Sequence, residues 1–116
     1  MDVPAVRPFS LRTEEMDGAT VVHLEGELDL AGVPELQQAL HSAQHGEVSR
    51  IVVDLRGLTF LDSSGLGVLI AADTAGRDGH AAVSFVRGNE TVHRVFQLTA
   101  MEGRVNWVDA PDPSSG

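Results

Sequence analysis

The sequence predicts an α/β fold: a mixed β-sheet that opens with a β-hairpin and packs against α-helices. Three observations carry that reading. Asp17-Gly18 separates two short segments of β character, the mark of a tight hairpin turn. Ile51-Val52-Val53-Asp54-Leu55 is rich in β-branched residues and almost continuously apolar, as in a buried parallel strand. Beyond it, Leu66, Leu69, Ile70 and Asp73 recur at helical spacing before a further apolar stretch, Ala81 to Val86. Strand, helix and strand thus follow one another, and such a parallel crossover is expected to be right-handed.

Each element has a local justification. Residues 1–8 hold two prolines and little pattern, which predicts a flexible lead. Phe9 to Thr13 alternates as the first strand, and Thr20 to Leu24 is its hairpin partner. Pro34 suits the first turn of a helix running from Val33 through Leu40 and ending near His45-Gly46. Arg50 to Leu55 is the next strand, and the residues after it read as the loop leaving its carboxyl end. A helix from Ser63 to Ala75 follows, with Gly76 and Gly79 as breakers before the strand Ala81 to Val86. Asn89 caps a short helix to Leu98, and Arg104 to Val108 reads as a last strand. Residues 9–108 make the domain, and 109–116 a flexible tail. The expected core comprises Val22, Leu24, Val52, Val53, Leu55, Leu69, Ile70, Val83, Phe85, Val95 and Phe96.

At 116 residues the chain suits one domain, which buries about two-thirds of its unfolded surface without staples. It has no cysteine, so disulfides and thiolate zinc sites are excluded, and a reducing compartment is compatible. Its apolar runs are too short to span a membrane, and Met1-Asp2-Val3-Pro4 does not open a signal peptide. These features predict a cytoplasmic protein with no membrane insertion. The net charge of −9, from eight arginines, no lysine and seventeen Asp plus Glu, repels phosphate backbones and argues against direct nucleic-acid binding. An acidic surface serves solubility, or complements a basic partner.

The chemistry concentrates in Leu58-Thr59-Phe60-Leu61-Asp62-Ser63-Ser64-Gly65-Leu66-Gly67. Asp and Ser directly before a periodic apolar segment are the residues that cap helices. Gly65 and Gly67 each cost that helix about 1 kcal/mol relative to alanine. One account makes them a means of close packing behind a capping Asp62 or Ser63. Another makes them a surface left bare so that a protein partner can dock against an uncharged hydroxyl, whose phosphorylation would prevent docking. Ser63 falls at the carboxyl edge of the sheet, where open α/β folds place functional groups.

Other chemistries do not fit. A hydrolase elbow, Gly-x-Ser-x-Gly, is absent around Ser63 and Ser64. Asp54 stands where a phospho-receiver aspartate would, but a receiver also needs a lysine, as does a phosphate-cradling P-loop. His41 and His45 lie four apart on the first helix, yet Ser42 replaces the glutamate of the zinc-helix signature, and the pair is expected to face water. His23, His80 and His93 read as scattered. No metal or other cofactor is expected. With Trp107 alone and no tyrosine, no stacking platform for single strands is available.

Asp62-Ser63-Ser64-Gly65-Leu66-Gly67-Val68, preceded by Val53-Asp54-Leu55 and Leu58-Thr59-Phe60, resembles the phosphorylation motif of the STAS-domain anti-sigma factor antagonists, or anti-anti-sigma factors. Leu24-Glu25-Gly26-Glu27-Leu28-Asp29-Leu30, then Pro34-Glu35-Leu36, is similar to the family's Gly-Glu-Leu-Asp segment and its helix, and the likeness runs on through Val92 to Thr99. The resemblance implies a bacterial phosphoprotein without enzymatic activity. Unmodified, such a protein binds an anti-sigma factor, commonly also a serine-protein kinase, and so frees the sigma factor; a PPM-type serine phosphatase restores the unmodified form. By motif position Ser63 is the phosphoacceptor, framed by Asp62, Ser64, Gly65 and Leu66, with Glu27, Leu28 and Asp29 on the partner-facing rim. Ser64 is a second possible acceptor, and only motif position favours Ser63. The alternative within the same fold is a STAS scaffold of a stress-sensing complex, or a regulatory module of a lipid transporter, without kinase control.

Overall fold

The computed structural model describes residues 8–111, so the expected lead and tail lie outside it at 1–7 and 112–116. Five strands form one sheet in the order β1-β2-β3-β4-β5. They are β1 (Ser10–Met16), β2 (Ala19–Leu28), β3 (Arg50–Leu61), β4 (Ala82–Val86) and β5 (Asn106–Trp107). The hairpin of β1 and β2 is antiparallel and the other neighbours are parallel, so the sheet is mixed. Helices α1 (Val33–Gln44), α2 (Ser63–Arg77) and α3 (Glu90–Leu98) make the three crossovers, and a single 3-10 turn, Leu30–Gly32, precedes α1.

The hairpin turn lies at the predicted place. Asp17 and Gly18 both adopt positive φ, +50° and +79°, the backbone twist that suits two-residue hairpins. With that turn closed, β1 pairs from Met16 back to Ser10, later than the predicted Phe9 to Thr13. Pro34 lies in the first turn of α1, where its missing N–H leaves no helical bond unmade. The Asn89 carboxamide accepts from the Val92 amide at 3.0 Å and caps α3, while its nitrogen donates to the Leu58 carbonyl at 3.1 Å. That side chain therefore ties the start of α3 to β3.

All three helices cover one face of the sheet. Leu36 and Leu40 of α1, Leu66 and Leu69 of α2, and Val92 and Phe96 of α3 are buried with Val22, Leu24, Ile51, Val53, Leu55, Val83 and Phe85. The helix-free face carries a smaller cluster, Ala19, Val21, Val52 and Val86, against which Met16 and Ala110 pack. Two of the expected core residues, Ile70 and Val95, are only half-buried beside the main core, because α2 buries 65, 66, 69, 72 and 73 and α3 buries 92, 93 and 96.

Three expected boundaries need correction. β3 does not end at Leu55. It continues to Leu61 beside an equally extended β2, with register shifts at His23/Glu25 and Gly26/Glu27 that each absorb one extra residue of β3, the first beside Arg56 and the second at Thr59. Gly76 is not a breaker. It lies inside α2, where a Cβ would stand 2.6 Å from the Ala81 carbonyl oxygen, so the residue permits close approach of helix and chain. The last strand is limited to Asn106–Trp107. Among the described residues no helix is long and apolar enough to cross a membrane.

Candidate functional site

The site is built where β2 and β3 end side by side. Glu27 pairs with Phe60 and Leu28 with Leu61, and the Asp62 amide then donates to the Leu28 carbonyl at 3.2 Å. Asp62 adopts an extended conformation, φ −106° and ψ −178°, and its carboxylate accepts from the Gly65 amide at 3.0 Å. Asp62 is therefore the cap of α2. Since the carboxylate performs that task, the Ser63 hydroxyl is released from it; Ser63 is the first helical residue and is exposed, and no hydrogen bond holds its hydroxyl among the described residues. Ser64 is half-buried.

The two glycines of this first turn have different causes. A Cβ on Gly65 would stand 2.7 Å from Leu28 Cγ and 2.9 Å from Leu61 Cδ1, so the helix can seat on the strand ends only with glycine there. Gly67 has nothing within 4 Å of its would-be Cβ and is exposed. Close packing thus accounts for Gly65, and a bare surface describes Gly67.

The expected rim residues divide in the same way. Asp29 is exposed and caps the 3-10 turn by accepting from the Ala31 amide at 3.0 Å, and Glu27 and Asp62 are half-buried. Leu28, Gly65 and Leu66 are buried. These three positions shape the corner from within. Two residues outside the expected set are exposed nearby. Leu30 is 69% exposed and Phe60 40%, the only large apolar side chains at this corner that face solvent among the described residues. The segments that build it, Glu25 to Ala39 and Gly57 to Gly76, contain no arginine, so the corner is acidic as well as apolar.

Away from this corner, the histidines are less scattered than the sequence suggests. His23 on β2 bridges strands on the helix-free face, its Nδ1 at 2.8 Å from Asp54 and its Nε2 at 2.8 Å from Glu14. Burial pushes the Asp54 carboxyl up, but the Arg56 guanidinium at 2.9 Å, the Arg56 amide and His23 outweigh it and bring it down to about 2. Asp54 is thus a committed ion-pair partner. His41 and His45 are exposed with ring centroids 4.1 Å apart, and His80 lies 5.8 Å from His45. Among the described residues no three metal-ligating side chains converge. His93 is buried and bonds Glu102 through Nε2, which holds the Glu102 carboxyl below its ordinary value.

The fold is shared with known proteins. The family model described as Mlab, STAS domain, matches residues 11–108. The anti-sigma-B factor antagonist of Staphylococcus aureus is 26% identical over 94 residues, 81% of this chain and 87% of the relative. Among solved structures, an anti-sigma factor antagonist from Mycobacterium paratuberculosis superposes with a TM-score of 0.77 at 24% identity, over 97% of this chain and 94% of that one. The anti-sigma factor antagonist SpoIIAA in its unphosphorylated form gives 0.75 at 24% identity, over 91% and 92%. The Bacillus cell fate determinant SpoIIAA in its phosphorylated form gives 0.70, also at 24% identity, over 91% and 96%. These likenesses to solved structures are likenesses of fold.

Proposed function

Because the chain belongs to the STAS-domain family and is similar to anti-sigma factor antagonists, we propose that it works by partner switching controlled at Ser63. Unmodified, it binds an anti-sigma factor that is also a serine-protein kinase, and the sigma factor held by that protein is released. Transfer of the γ-phosphoryl group of ATP to the Ser63 oxygen, with loss of the hydroxyl proton and departure of ADP, ends the association. A PPM-type serine phosphatase hydrolyses the ester and restores binding. The chain itself performs no catalysis; it acts in the cytoplasm as a substrate and a ligand.

The observation that supports this reading is the division of labour between adjacent residues: Asp62 caps α2, leaving Ser63 exposed at the helix start and without a hydrogen bond among the described residues. A phosphate there adds about −1.5 to −2 charges. The free amides and dipole of the helix N-terminus tolerate that load, so the fold is kept. A docked partner would have to bury the same dianion beside Asp62, with no arginine from Gly57 to Gly76 to neutralise it. Binding is lost while the domain survives.

The test is to incubate the chain with ATP and each purified kinase anti-sigma factor of its own organism, and to map the product by mass spectrometry. Phosphate on Ser63, absent from Ser63→Ala, is the expected result. Phosphate on Ser64 instead would move the switch by one residue. No incorporation by any kinase would contradict kinase control and favour a scaffold role for the domain.

A further inference from the structure

We infer that Leu30 and Phe60 are the apolar anchors of the partner-binding surface, and that the partner meets them with an apolar patch framed by basic side chains. This rests on the partner-switching reading and says what holds the complex together before Ser63 is modified.

Large apolar side chains left in water are ordinary when single, and informative when they gather at a corner that also carries the functional group. Four are notably exposed among the described residues: Leu30, Phe60, Leu98 and Val108. Two of the four border Ser63. Phe60 lies three residues before it, and Leu30 lies two residues beyond Leu28, whose carbonyl receives the Asp62 amide.

The backbone accounts for the outward setting of each. Between Gly26↔Leu58 and Glu27↔Phe60 the register slips, so Thr59 is an extra residue on β3. Leu58 and Leu61 are then both buried in the helix-side core although three residues apart, and Thr59 and Phe60 are left exposed. Leu30 opens the 3-10 turn capped by Asp29, and the buried positions nearest it are Leu28 and Gly32. In Gly32 a Cβ would stand 2.8 Å from the Phe9 ring, so this turn packs inward through Gly32 and presents Leu30 to solvent. Neither residue is needed by the core.

Charge complementarity selects the occupant. Glu27, paired with Phe60, and Asp29 and Asp62 belong to the same two segments as the apolar groups, and no arginine does. A second copy of this chain would bring the same carboxylates against themselves, and an anionic lipid or nucleic acid would be repelled. A protein with an apolar cleft whose arginine or lysine side chains face Glu27 and Asp29, and not Ser63, is the surface that fits. Aromatic and aliphatic side chains desolvated at the centre of such an interface carry much of the affinity, and the charged rim sets approach and register.

The test measures binding of the full chain to the kinase anti-sigma factors of its organism, by calorimetry, for Leu30→Ser, Phe60→Ser, Leu98→Ser and Ser63→Asp. Leu98 is 80% exposed at the end of α3 and serves as the control. Leu30→Ser and Phe60→Ser are each expected to weaken binding at least about tenfold, with Leu98→Ser unchanged and all four melting like the parent. Affinity should also fall with added salt, and more shallowly in Asp29→Asn, which keeps the turn capped. If Ser63→Asp releases the partner while Leu30→Ser and Phe60→Ser bind as the parent does, the anchors are misassigned and the switch stands. If Ser63→Asp binds as tightly as the parent, or if no anti-sigma factor binds at all, the partner-switching reading itself is overturned and this inference with it.

Discussion

The Asp62 carboxylate accepts the Gly65 amide at 3.0 Å, and this one bond caps α2 without using the adjacent Ser63 hydroxyl. Replacing Asp62 by alanine removes the cap at a cost of about 1 kcal/mol, whereas asparagine retains most of it. Thermal melting of the two variants checks this. The alanine variant should melt several degrees lower, by about 4 °C or more for each kcal/mol lost.

Gly65 and Gly67 should respond in opposite directions to the same substitution. Gly65→Ala forces a Cβ to within 2.7 Å of Leu28 and should destabilise the fold by about 1–3 kcal/mol. Gly67→Ala meets nothing within 4 Å and should stabilise the helix by up to about 1 kcal/mol. Denaturant titration of both separates the two roles. If partner docking uses the bare surface at Gly67, its alanine variant is more stable and binds less well.

The Asp54–Arg56 pair contributes to stability in acid. Since the folded carboxyl is held at about 2, below the ordinary aspartate value near 3.9, its contribution is complete above pH ~4 and is lost as the pH falls towards 2. Arg56→Ala leaves the buried carboxylate with the His23 ring as its remaining side-chain partner. Acid unfolding should then begin at higher pH, and stability at neutral pH should fall by on the order of 1 kcal/mol, because the guanidinium is half exposed and screened. Urea midpoints measured between pH 2 and 7 give both effects.

Much of this molecule is legible in the order of its residues, where local chemistry decides the outcome. The Asp17-Gly18 turn, the Asn89 cap and the start of α2 follow from side chains acting on their own backbone. The carboxyl half of β3 does not. Arg56-Gly57 interrupts the apolar pattern, and only pairing with β2, through two register shifts, carries the strand on to Leu61. The second of these shifts, at Gly26/Glu27, sets the exposure of Phe60, so that exposure is hidden from any reading of local periodicity. Gly65 illustrates the converse. Its absent side chain looks like a bare surface until Leu28 and Leu61, one of them distant in sequence, are seen to fill the space. His23 looked isolated because its partners, Glu14 and Asp54, come from two other strands.

The central claim is that the Ser63 hydroxyl permits an association its phosphate forbids, with the fold unchanged. The most direct measurement is the affinity of the chain for its kinase anti-sigma factor before and after stoichiometric phosphorylation at Ser63, each sample melted in parallel. The account predicts at least about a hundredfold loss of affinity, the scale of an unpaired buried charge, with melting temperatures within a few degrees of one another. Equal affinity of the two forms, or a phosphorylated chain that has lost its cooperative melting, would contradict it.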